Sequence, residues 1–210
     1  MIKSIIFDLD GVLWLSEKGH RYGYLKALNF YNITEEELLE ISYFGKPTEN
    51  VIKEILFRKG VFLPEKSINT LIDEKRKFTY DFLIESKPIN HTILNDFKLL
   101  KDMGLKIAIV TSSSKQNLNT FLSCLSKDVS FDVMISISDV KVPKPSPDSY
   151  KLALSKLSCI PKHAKAIEDT ELGKLAANAA GIDCFHFCPT CVCETKLDWP
   201  HILKCIQKEL

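Results

Sequence analysis

The sequence predicts a doubly wound α/β protein, a parallel sheet flanked by helices with a helical segment inserted after the first strand. Three observations lead there. Five apolar runs of strand length alternate with stretches of helical periodicity. The runs are mostly continuous, as in strands buried on both faces. One long span between the first and second runs is helical throughout.

The first strand is read at 3–7, and the helical span follows from about 15 to 87. Within it, Thr34-Glu35-Glu36-Glu37 forms a capping box, Pro47 stands near another helix start, and a long charged helix runs over 65–85. Strands are then expected at 106–110 and 133–137. Ser146-Pro147 supplies a cap and a first-turn proline for a helix over 148–157, before a strand at 164–167. Thr170 caps the next helix, whose apolar positions Leu172, Leu175, Ala176, Ala179 and Ala180 share a face, and Gly181 provides its left-handed end. A last strand is placed at 183–187. The expected division is a core of 1–14 with 88–210 and a helical cap of 15–87. No internal repeat or low-complexity segment interrupts it.

Composition narrows the function classes. With 45% hydrophobic and 26% charged residues the chain is an ordinary globular protein, and 28 Lys+Arg against 27 Asp+Glu leave a formal charge of +1. Such a balance disfavours binding to nucleic acid or to anionic membrane, which need a basic excess. No apolar run approaches the roughly 20 residues that cross a bilayer. The N-terminal apolar stretch stops at Asp8, too short for a secretory signal, so a cytoplasmic protein with reduced thiols is expected. The sequons at Asn32 and Asn90 then carry little meaning. No heptad pattern announces an oligomer, and the oligomeric state stays open.

Ligands of open parallel sheets bind outside the carboxyl ends of the strands, so the residues just after each strand are the ones to inspect. After the first strand come Asp8-Leu9-Asp10-Gly11, two carboxylates that are costly at a buried strand end unless paired or metal-bound. After the second come Thr111-Ser112-Ser113-Ser114, a hydroxyl followed by amides at a helix start, which suits an anion. Lys144 lies between Pro143 and Pro145, and Glu168 and Asp169 follow the fourth strand. Four carboxylates in one crevice would repel one another, so a hard divalent cation is their natural partner, and Mg²⁺ takes carboxylates, water and substrate phosphate. The constellation predicts metal-assisted phosphoryl transfer.

Those four segments, Asp8-Leu9-Asp10-Gly11-Val12-Leu13, Thr111-Ser112, Lys144-Pro145-Ser146-Pro147-Asp148 and Glu168-Asp169-Thr170-Glu171-Leu172-Gly173, resemble in order the signature motifs of the haloacid dehalogenase-like (HAD) hydrolase superfamily. The likeness is to its phosphatase and β-phosphoglucomutase-like branch, with a Rossmann-like core and a helical cap. The resemblance implies that Asp8 is the nucleophile and that Asp10 first protonates the leaving oxygen and then deprotonates water. It implies that Thr111 and the Ser112 amide hold phosphoryl oxygens and that Lys144 offsets negative charge. It also implies that Mg²⁺ binds the Asp8 carboxylate, the Asp10 carbonyl and Asp169, with Glu168 adjacent as a further candidate ligand. An aspartate at position 10 points to phosphate esters rather than to dehalogenation. Leu15 before Ser16 and Pro143 before Lys144 depart from the usual pattern without removing a catalytic group.

The substrate expected is a small phosphorylated metabolite. A phosphosugar mutase or a catalytically silent phospho-ligand or partner-binding module are the alternatives, and the intact set Asp8, Asp10, Lys144 and Asp169 ranks the silent module last. Taken alone, Lys144 reads as a solvated loop lysine, and so does Lys46 in Gly45-Lys46-Pro47-Thr48, although that loop is a candidate for reading a substrate anion. His20 and Arg21 read as solvated. His186, Cys188, Cys191 and Cys193 invite a zinc hypothesis, but the two separated ligand pairs of a structural site are missing, so Cys184 is read as a strand residue and the others as loop.

Overall fold

Continuous apolar runs zip into five parallel strands, β1 (Ser4–Phe7), β2 (Lys106–Val110), β3 (Val133–Ile135), β4 (Ala164–Glu168) and β5 (Asp183–His186), ordered β3-β2-β1-β4-β5. The computed structural model describes residues 1–41, 43, 46–188 and 197–210. The chain lays strands outward on one side of β1, then returns to build β4 and β5 on the other. This is the reversal that opens a ligand crevice at the carboxyl ends of the strands. Register aligns Phe7 with Ile109 of β2 and Ile167 of β4. Asp8 therefore leaves the sheet level with the end of β2 and with Glu168.

The chain divides into two compact units, Ser16–Pro88 and the sheet unit formed by Met1–Leu15 with Ile89–Leu210. The first holds α1 (Glu17–Ala27), α2 (Glu35–Glu40), α3 (Thr48–Arg58) and α4 (Glu65–Ser86). Tyr24, Leu28, Leu38, Val51, Ile52, Ile55, Ile68 and Ile72 form its core. The capping box of α2 is present in both directions: Thr34 Oγ1 accepts from the Glu37 amide at 3.2 Å, and Glu37 Oε2 accepts from the Thr34 amide at 2.9 Å.

The sheet unit adds α5 (His91–Leu94), α6 (Phe97–Asp102), α7 (Lys115–Ser123), α8 (Asp148–Leu157), α9 (Glu171–Ala179) and α10 (Trp199–Lys208). Alternation along β1 divides its side chains between two buried faces. Ile6 joins Ala108, Val110 and Ala166 under Tyr150, Ala153 and Leu154 of α8 and Ala176 and Ala177 of α9. Phe7 turns the other way, onto Phe97 of α6 at 5.4 Å and Trp199 of α10 at 5.9 Å between ring centroids. Strand β3 ends earlier than the sequence predicts because the Ser136 amide and hydroxyl both donate to Asp139 Oδ2, at 2.8 and 2.7 Å, and turn the chain. Helix α8 is preceded by Pro147, and Ser146 Oγ accepts from the Asp148 amide at 3.4 Å, a long cap bond at the start the sequence predicts. Thr170 does cap α9, accepting from the Gly173 amide at 3.1 Å.

Where the chain leaves and re-enters the sheet unit, Trp14 pairs with Ile89 in an antiparallel bridge. The buried Asn90 fastens this junction: its amide donates to Leu13 O at 2.9 Å and its Nδ2 to Val12 O at 2.8 Å. Asn90 is thus a structural residue rather than a surface sequon. No helix among the described residues is long and apolar enough to cross a membrane.

Candidate active site

The carboxyl ends of β1, β2 and β4 bring Asp8, Glu168 and Lys144 into one buried contact. Lys144 Nζ donates to Asp8 Oδ1 at 2.5 Å, to Glu168 Oε1 at 2.5 Å and to Val110 O at 2.9 Å. Its side chain is only 6% exposed. The solvated-lysine reading of Lys144 is overturned: an ammonium reaching the strand ends finds two carboxylates and a carbonyl that replace its water.

Asp10 points to the loop after β2. Its Oδ2 accepts from Ser113 Oγ at 2.6 Å and lies 3.5 Å from Thr111 Oγ1, at the edge of hydrogen-bonding reach. Thr111 Oγ1 in turn accepts from the Ser113 amide at 2.9 Å, and Ser114 caps α7 by accepting from the Asn117 amide at 3.2 Å. Ser112 stands exposed between them, and its amide makes no hydrogen bond among the described residues. The sequence singled out Thr111 and Ser112 here, and Ser113 is the hydroxyl it passed over.

Asp169 follows β4 and leans on the turn after β1. Gly11, at φ +80°, leaves room for it: a Cβ there would sit 1.9 Å from Asp169 Oδ2. Gly173 does the same for Glu168, since a Cβ would meet Glu168 Oε2 at 2.0 Å. Two positions without side chains thus admit two carboxylates.

Charge at this cluster does not balance: four carboxylates face one ammonium. Burial, Glu168 and Asp169 push the Asp8 carboxyl well above its ordinary range, against the opposing pull of Lys144. Burial and the neighbouring Glu168 and Asp10 raise Asp169 to about 7. Burial alone would lower Lys144, but Asp8 and Glu168 outweigh it and raise it. Asp8, Glu168 and Asp169 each offer a carboxylate oxygen, all within 4.8 Å of one another. Glu168 Oε2 is buried without a hydrogen-bond partner among the described residues. An oxygen-only donor set with excess negative charge fits a hard divalent cation.

Lys46 belongs to the helical unit, where its ammonium donates to Ile41 O at 2.6 Å and pairs with Glu54 at 3.3 Å. His20 and Arg21 are not free surface groups: Arg21 pairs with Glu35 at 2.8 Å, and His20 Nδ1 accepts from Lys75 Nζ at 2.8 Å. Lys75 is only 3% exposed and also lies 4.5 Å over the Tyr24 ring. Nothing in the charged pattern of its helix sets it apart from the exposed lysines beside it. A groove of about 620 Å³ between Tyr22, Phe78, Phe82 and Glu85 contains no residue of the polar cluster. His186 Nε2 donates to Asp169 O at 2.9 Å, and Cys188 is disulfide-bonded, against the expectation of reduced thiols throughout. Cys191 and Cys193 lie outside the described residues, whereas Cys124, Cys159, Cys184 and Cys205 are free thiols.

Residues 5–187 match the haloacid dehalogenase-like hydrolase family. The chain belongs to that family. Among relatives of this HAD hydrolase is the validoxylamine A 7'-phosphate phosphatase of Streptomyces hygroscopicus subsp. limoneus, 28% identical over 96% of this chain and 99% of the relative. A crystal structure of a CbbY mutant from Rhodobacter sphaeroides, in complex with xylulose-(1,5)bisphosphate, is 26% identical with a TM-score of 0.74 over 90% of this chain and 87% of that one. The β-phosphoglucomutase of Clostridium difficile shares the fold, with 22% identity and a TM-score of 0.76 over 100% of this chain and 99% of that one. The HAD hydrolase therefore stands with the family's phosphatases, and it is an enzyme of the phosphoric monoester hydrolase type.

Proposed function

We propose that this chain is a Mg²⁺-dependent phosphatase that hydrolyses a small phosphorylated metabolite through an aspartyl-phosphate on Asp8. The observation that carries the reading is the Lys144 ammonium held against Asp8 at the end of β1, with Asp10 two residues on and tied to the loop after β2. Lys144 occupies Asp8 Oδ1, which leaves the other carboxylate oxygen to attack phosphorus. The Ser113 hydroxyl orients Asp10, which delivers a proton to the departing oxygen and then takes one from the water that cleaves the intermediate. Thr111 and the Ser112 amide hold the equatorial phosphoryl oxygens, and Lys144 offsets their charge.

Mg²⁺, when bound, supplies the positive charge the cluster lacks, held by the Asp8 carboxylate, the Asp10 carbonyl, Asp169 and Glu168. In this reading the helical unit Ser16–Pro88 is the cap that reads the substrate, with Lys46 as its candidate anion-reading group. A relative that acts on a 7'-phosphate and a structural neighbour complexed with xylulose-(1,5)bisphosphate support a phosphorylated, sugar-like metabolite as substrate.

The test is phosphate release from p-nitrophenyl phosphate, followed by a panel of phosphorylated sugars. Asp8→Asn is expected to lower turnover by on the order of 10³-fold or more, and chelation to abolish it. Wild-type rates in Asp8→Asn would remove Asp8 as the nucleophile.

A further inference from the structure

The two oxygens of the Glu168 carboxylate have different surroundings. Oε1 accepts from Lys144 Nζ and from the Tyr150 hydroxyl, each at 2.5 Å, whereas Oε2 is buried without a hydrogen-bond partner among the described residues. The carboxylate lies against Gly173, where a Cβ would meet Cδ at 2.1 Å and Oε2 at 2.0 Å.

Lys144 is drawn to Glu168 by charge, but it is shared with Asp8 and with Val110 O, so it cannot by itself set the rotation of the Glu168 carboxylate. Tyr150 can. It is 0% exposed, and its ring is locked in the apolar cluster of α8, α9 and the sheet, so its hydroxyl has one position. As a neutral donor it adds direction without adding charge, and its ring face also lies 5.4 Å from Lys144 Nζ.

We infer that Tyr150 is a positioning residue: its hydroxyl fixes the Glu168 carboxylate so that Oε1 anchors Lys144 beside Asp8 and Oε2 remains for the cation. This rests on the metal-dependent reading above and adds to it a residue outside the four motif segments. Tyr150 touches neither phosphate nor cation in this assignment and acts only through Glu168.

Tyr150→Phe keeps the ring and its packing and removes only the hydroxyl. Calorimetric titration of the full-length variant with Mg²⁺ alone should show a dissociation constant raised about tenfold, the scale on which partners of metal-binding carboxylates act. With p-nitrophenyl phosphate, kcat should fall while KM stays near the wild-type value. In a Glu168→Gln background, adding Tyr150→Phe should change Mg²⁺ binding no further. A Tyr150→Phe protein that folds, releases phosphate and binds Mg²⁺ within twofold of wild type would overturn the inference and leave the phosphatase reading standing. So would an undiminished effect of Tyr150→Phe in the Glu168→Gln background. Wild-type protein that neither binds Mg²⁺ nor releases phosphate would instead overturn the phosphatase reading itself.

Discussion

Gly11 shows how one residue governs a neighbour far away in the chain. It has two reasons to lack a side chain: its φ of +80° and the Asp169 carboxylate lying where a Cβ would go. Gly11→Ala should therefore cost about 1–2 kcal/mol of stability through backbone strain alone. It should also displace Asp169 and weaken Mg²⁺ binding, whereas Gly104→Ala, at φ +79° with nothing within 4 Å, should cost stability only. Chemical denaturation and metal titration of the two variants separate the effects, and equal Mg²⁺ affinity in both would refute the steric argument. At this scale the sequence is partly legible. Asp8, Asp10, Glu168 and Asp169 are visible because each follows an apolar strand, and the structure brings them together. The hydrogen bonds of Ser113 and Tyr150 are not, since their partners lie 103 and 18 residues away and neither residue type demands a buried partner. Burial of Lys144 is likewise hidden, because Pro-Lys-Pro reads as an exposed loop until the sheet supplies carboxylates to receive it.

Secondary elements were easier to read than their ends. The helix over Asp148–Leu157 and the capping box at Thr34 follow from local chemistry and appear as expected. The end of β3 does not, because the Ser136–Asp139 turn competes with the ladder for the same backbone groups. Within the sheet unit, the start of the returning chain depends on Asn90, whose side chain satisfies a backbone carbonyl of the β1 turn. Asn90→Ala should leave Val12 O short of a donor in a buried setting and cost about 1–3 kcal/mol. Urea denaturation reads this directly, and a loss under a few tenths of a kcal/mol would show that water replaces the amide. A second reading should be a measurable fall in phosphatase activity, because the same turn carries Asp10 and Gly11.

For the whole molecule, the unbalanced acidic cluster links stability, pH and cation. Asp169 has its carboxyl raised from 3.8 to about 7 in the folded chain. Its protonated form is thus favoured by folding, so its contribution is complete below about pH 4 and is lost as pH rises through about 7. Mg²⁺ acts on the ionised form, which is the one folding disfavours. The rise in Tm on adding Mg²⁺ should accordingly be larger at pH 8 than at pH 5, and an equal rise at both would dissociate the ion from this cluster. A bell-shaped or rising activity profile alone would not make that distinction, since the proposed acid and base steps would shape it as well.

The pairing of Trp14 with Ile89 has an evolutionary side. Because the outgoing and returning segments pair at Trp14 and Ile89, the intervening seventy-odd residues, Ser16–Pro88, begin and end at neighbouring points of the chain. A loop of almost any length can be spliced between such points with a small closure penalty. Under the proposed function, the chemistry would then stay fixed while selectivity is exchanged wholesale, by grafting rather than by point change.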